Sequence, residues 1–138
     1  MATLEFYMNL DNDFSIYEGE EELNGLTYSG FIGTEPLRIE NFDKLALNAA
    51  SDVIVSFLSP ISKVNRKYDS QALKHFIVKI LEKDTNYRIN NVSNGTVILA
   101  MYDAGFRIQR IKGSPNCYFN ISEKGIKRLY MRAYNLNT

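Results

Sequence analysis

Lys124, Lys127, Arg128 and Arg132 stand at i, i+3, i+4 and i+8, the spacing that lines one face of a helix. Arg107, Arg110 and Lys112 add cations just upstream, in a stretch that also carries Tyr118 and Asn120. Cations interleaved with an aromatic ring and an amide suit phosphate attraction and base stacking, or an acidic protein surface. A solvated helix face is the plain alternative. A second set is acidic: Asp11 and Asp13, then Glu18, Glu20, Glu21 and Glu22. Closely spaced carboxylates can imitate a row of phosphates and engage a basic partner, or simply solubilise a loop. Asp11, Asp13, Ser15 and Glu22 fall on positions 1, 3, 5 and 12 of a calcium loop, but Ile16 occupies position 6, where the turn requires glycine. No metal is expected there.

Nothing in the chain assembles a familiar catalytic set. The one histidine, His75, lies on a predicted helix among lysines, and the one cysteine, Cys117, alternates with core positions as a buried, inert thiol would. One His and one Cys do not make a usual zinc site without several carboxylates. No phosphate-binding loop or dinucleotide fingerprint occurs. The expectation is a non-enzymatic binder without a cofactor or small-molecule substrate; an enzyme using only carboxylates or tyrosines stays open.

These groups belong to a chain whose net charge is zero over 138 residues. The average hides an asymmetry. Residues 1–59 carry two bases against eleven acids, a balance of −9, and residues 60–138 carry fourteen bases against five acids, a balance of +9. Either the two parts neutralise each other on packing, or they face different partners, another copy of the chain included. The composition is globular, 45% apolar with eight Phe and nine Tyr. No apolar run approaches a membrane span, so no membrane partner is expected. The first residues lack the pattern of a signal peptide, and a lone cysteine suits a reducing compartment. The expected location is the cytoplasm of a microbial or phage-infected cell.

The elements that must position these residues read as α+β. The stretches "TLEFYMNL", "FSIY", "GLTYSGFI" and "PLRIE" are aromatic-rich and bounded by turn residues, which predicts a small antiparallel meander. A helix follows over about 42–58, with Asn41 as N-cap and Pro60 as terminator. The division is then an acidic strand-rich half over 1–59, a linker over 60–69, and a basic half over 70–138, with one compact domain as the alternative. In the basic half a helix spans about 70–83. A second, capped by Ser93 or Asn94, ends near Ala104 with Gly105 as a left-handed cap. "FRIQRIK" and "CYFNI" form a hairpin around "GSPN", in which Phe106, Ile108, Cys117, Phe119 and Ile121 cover the helices. A last helix starts at Ser122, with Ile126, Leu129, Tyr130, Ala133 and Tyr134 on its apolar face.

Helix, helix, hairpin, helix is similar to a winged-helix arrangement. A reader of that type would place the helix over 94–104 in a major groove. That helix holds no Lys or Arg and includes Asp103, so backbone contact through the hairpin and last helix is expected instead of base readout. The run "SNGTVILAMYDAGFRIQRIKGSPNCYFNIS", residues 93–122, with Asn94-Gly95, Gly105-Phe106 and "GSPNCYFNIS", resembles a C-terminal module of short proteins from phages and mobile elements. The resemblance implies a phage or plasmid setting. Small bipolar proteins there often act by binding, inhibitors of host defence nucleases of the anti-CRISPR type among them. The expected function is thus an accessory protein that binds nucleic acid or a nucleic-acid-handling complex. A phage assembly protein and a winged-helix-like DNA-binding regulator are the alternatives.

Overall fold

Asp43 starts the first long helix. Its carboxylate accepts from the Leu45 N–H at 3.0 Å, so the cap falls two residues after the expected Asn41. The computed structural model describes residues 3–134. Helix α2, Lys44–Phe57, follows a short α1, Leu4–Met8. On α2 the residues Ala46, Leu47, Ala49, Ala50, Val53 and Ile54 are buried. Fully burying a side chain such as Leu47 or Ile54 contributes about 2 kcal/mol. The chain leaves the helix at Leu58, just before Pro60.

Residues 60–69 are not a linker. They form β3, Pro60–Asp69, a strand that pairs antiparallel with β5, Cys117–Ile121. β3 is an edge strand with proline at its first position, where a missing N–H is harmless. Its register slips twice: Pro60 faces Ile121, Asn65 faces Phe119 and Asp69 faces Tyr118. These bulges, together with a mostly polar composition, erase the period-2 signal. The other edge is β4, Ile108–Arg110, in the order β3-β5-β4. Cys117, Phe119 and Ile121 point to the core as expected.

Helix α3, Ser70–Asp84, is capped by Asp69, and α4, Asn94–Asp103, by Ser93. Gly105 follows α4 at φ +92°, the left-handed conformation that glycine adopts freely. Helix α5, Glu123–Ala133, packs its Ile126, Leu129 and Ala133 inward against α3 and α2.

The strand-rich N-terminal half is the main correction. "TLEFYMNL" holds α1, capped by Thr3, and "FSIY" is a 3-10 turn over Phe14–Tyr17, capped by Asp13. "PLRIE" leads into another 3-10 turn, Ile39–Asn41. Only a hairpin of two short strands survives, β1 Leu26–Thr27 and β2 Gly30–Phe31. The segment wraps the helices as an arm, and Tyr7, Phe14, Leu23, Leu26, Phe31 and Leu37 are buried one by one. Residues from both supposed halves lie in one continuous apolar cluster. The fold is α+β with two small antiparallel sheets. No helix among the described residues is long and apolar enough to cross a membrane.

Candidate nucleic-acid interface

The outer face of the three-stranded sheet is built from alternation. With Cys117 and Phe119 turned inward, Tyr118 and Asn120 of β5 turn outward. Gln109 of β4 stands in register with Tyr118, and from the opposite edge Arg66 donates its Nε–H to Gln109 Oε1 at 2.9 Å. The guanidinium and amide thus meet across the central strand. Asn120 is not presented to solvent. Its side chain accepts from the Arg107 N–H and donates to the Ile61 carbonyl, each at 2.7 Å, tying both edge strands to the centre. Arg107 donates to the Ser62 carbonyl and stays exposed.

Lys63 and Lys67 of β3 are exposed with Arg66, and Lys112 is exposed in the hairpin turn. Arg110 lies 4.0 Å from the Phe31 ring centroid and donates to the Asn24 carbonyl at 3.1 Å. It therefore docks the hairpin on the N-terminal arm while its side chain remains at the surface. Lys124 and Lys127 extend the field onto α5, which β3 meets through the Lys67–Glu123 ion pair at 3.2 Å. Lys63, Arg66 and Lys67 escaped sequence reading because a supposed linker presents no face. The signal that could have found them is the "KVNRK" spacing once a strand is granted.

The expected basic stripe on the last helix divides. Lys124 and Lys127 face solvent. Arg128 donates to the Phe57 carbonyl at 3.0 Å, satisfying an orphan acceptor at the C-terminus of α2. Arg132 pairs with Asp84 at 2.6 Å, where the Asp84 side chain is only 7% exposed, in a crevice shared with Tyr7 and Asp52. Arg132 is a partly buried tie, and Arg128 is an exposed side chain that holds a backbone partner.

The acidic set stays at the surface. Asp11 lies 3.9 Å from Lys44, and Asp13 accepts from the Ser15 N–H and hydroxyl, which hold its carboxyl below the ordinary range. Glu18 accepts from the Ile39 N–H at 2.9 Å, while Glu20, Glu21 and Glu22 are exposed. Tyr17 donates to Asp103 at the end of α4; burial and that bond push the Tyr17 hydroxyl up to about 12. Burial first, then Glu22 and Glu20, raise Tyr102 as well. Among the described residues, Arg88–Glu5 at 3.6 Å is the ion pair that joins the acidic and basic segments. Most charged side chains of both segments are exposed.

Helix α4 cannot read a groove, because every residue from Asn94 to Met101 is buried. The β1–β2 hairpin covers it: Gly95 donates to the Tyr28 carbonyl at 2.9 Å, and Asn94 donates to Ser29 at 3.2 Å. His75 is exposed on α3. Cys117 is buried, which pushes its thiol up to about 12. Comparison with protein families, curated protein sequences and solved structures yields no match.

Proposed function

We propose that this chain is a non-enzymatic nucleic-acid-binding accessory protein that contacts the phosphate backbone through its sheet face and the start of α5. One observation carries the reading. Lys63, Arg66, Lys67 and Arg107 on or beside the strands, Lys112 in the hairpin turn, and Lys124 and Lys127 early in α5 are all exposed, and the nearby Glu123 is already paired with Lys67. We read α2 through α5 as winged-helix-like, since helix, strand, two helices, two strands and a helix follow in order and the first strand pairs with the last. In this version the hairpin and sheet do the binding, and the helix that would enter a groove is sealed. Tyr118 offers a ring for stacking on unpaired bases.

Fluorescence anisotropy with generic duplex and single-stranded oligonucleotides tests it. Four phosphate contacts on duplex would give a slope of about −3.6 for log affinity against log salt. Lys63→Glu with Arg66→Glu and Lys112→Glu should abolish binding while lowering the melting temperature only slightly, through loss of the exposed Arg66–Gln109 hydrogen bond. Unchanged affinity in that variant would end the proposal.

A second reading is favoured by Glu20, Glu21 and Glu22, all exposed, with Glu20 and Glu22 close enough to Tyr102 to act on it. This ridge would engage a basic surface on another protein. In the phage or mobile-element setting, a host defence nuclease is such a target. Nuclease inhibition that survives Glu20→Lys, Glu21→Lys and Glu22→Lys together would exclude the ridge.

A further inference from the structure

The groove between α3 and α5 borders the proposed nucleic-acid surface and shares Lys124 and Lys127 with it. It encloses about 470 Å³, with Tyr68, Phe76, Ile126 and Tyr130 as apolar lining and Lys124 and Lys127 on the rim. Phe76 meets Tyr130 and Tyr134 edge-on and those two rings are tilted against each other, with centroids 4.9 to 6.2 Å apart, and Tyr130 is 44% exposed. The carboxylate at the rim, Glu123, is held by Lys67. The site is concave, aromatic within and cationic at its lip.

The complementary shape lies on the acidic arm. Ile16 is 66% exposed on the 3-10 turn Phe14–Tyr17. That turn is held rigid: Phe14 is buried, Asp13 caps it, and Tyr17 is tied to Asp103. Asp13, Glu18, Glu20, Glu21 and Glu22 flank Ile16 in the sequence, and all five are exposed. A preorganised apolar knob with an acidic collar loses little entropy on docking.

We propose that the groove of one copy receives the Ile16 knob of another, so that the chain associates head to tail. This rests on the reading of the acidic segment as a surface for a basic protein, and it names that protein as a second copy. Knob and groove are different surfaces, so each contact leaves one of each free and growth is open-ended. Because the collar and lip are exposed, association weakens as salt rises.

Sedimentation velocity over a range of concentration and salt is the test. The mean mass of the wild type should rise with concentration and fall with salt. Ile16→Asp, and separately Lys127→Glu with Tyr130→Ser, should each weaken self-association about tenfold or more. A mixture of the two variants should form a dimer and nothing larger, because only one intact knob meets one intact groove. Circular dichroism melts confirm that both variants are folded. A wild type that stays monomeric throughout, or variants that associate like the wild type, overturns the proposal. Titration with a lysine-rich peptide separates the premises. If the monomeric wild type binds it and Glu20→Lys with Glu21→Lys and Glu22→Lys does not, the acidic-surface reading stands and the second copy is refuted. Intact self-association in the groove variant also overturns it, whether or not single-strand binding, to which Lys127 contributes under the proposed function, is lost.

Discussion

A Cβ placed on Gly95 would lie 1.8 Å from the backbone carbonyl oxygen of Thr27. The two residues belong to α4 and β1, and their contact lets the N-terminal hairpin lie flat on the first turn of α4. Backbone sits on both sides, so no side chain can swing away. Gly95→Ala should destabilise the protein by about 3 kcal/mol, at the upper end of overpacking effects. Urea denaturation gives the value. A loss below about 1 kcal/mol would mean that the hairpin lifts off at little cost.

Arg132 and Arg128 look equivalent on a helical wheel but not in the fold. Removing the Arg132 side chain leaves Asp84 with a carboxylate that is nearly enclosed. Breaking a buried pair costs 3–5 kcal/mol, and the partial exposure of Arg132 reduces this to about 2 kcal/mol for Arg132→Ala. Arg128→Ala loses an exposed hydrogen bond and should cost about 0.5–1 kcal/mol. Neither change should shift oligonucleotide affinity as Lys63→Glu with Arg66→Glu does. Equal destabilisation by the two arginine variants would contradict the assigned roles.

Asn120 bridges two strands through one side chain. Asn120→Ala would leave the Arg107 N–H and the Ile61 carbonyl without that partner. The expected loss is about 2 kcal/mol. Hydrogen exchange should quicken along β3 more than along α3, because β3 is held to the sheet from one side only. Uniform acceleration would instead indicate a global effect.

Alkaline pH should weaken the fold in a defined window. Burial raises the Cys117 thiol from 9.0 to about 12, and Tyr17 is raised from 10.0 to about 12. Both groups are neutral when protonated, so the folded state holds the proton more tightly. The stability they supply is complete below the unfolded values and declines as pH rises toward 12. Cys117 alone gives a slope of about 1.4 kcal/mol per pH unit above its unfolded value. Denaturant midpoints from neutral pH upward should fall first near pH 9 in the wild type and later in Cys117→Ala. An identical onset in both would remove Cys117 as the cause.

Much of the helical frame was legible before any coordinates. Helices α2 to α5 and the β4–β5 hairpin announce themselves through contacts within a few residues: Ser93 caps its own turn, and Gly105 ends it. Cys117, Phe119 and Ile121 alternate because neighbouring pleats must. Such signals are local, and local hydrogen bonds and periodicity suffice to write them. The charge asymmetry was equally plain, since formal charge needs no fold.

Tertiary contact decided the rest. Residues 60–69 become a strand only because β5, some fifty residues onward, offers carbonyls and N–H groups to a polar, bulged edge. The arm takes helix and 3-10 turns and buries Tyr7, Phe14 and Leu23 in one apolar cluster with residues of distant elements, which no local pattern encodes. Lys124 and Lys127 remain available while Arg128 and Arg132 are bound, a division set by where Phe57 and Asp84 happen to lie. Sequence spacing can place four cations on one helix; only the neighbours across the packed interface determine which of those charges are held by a partner.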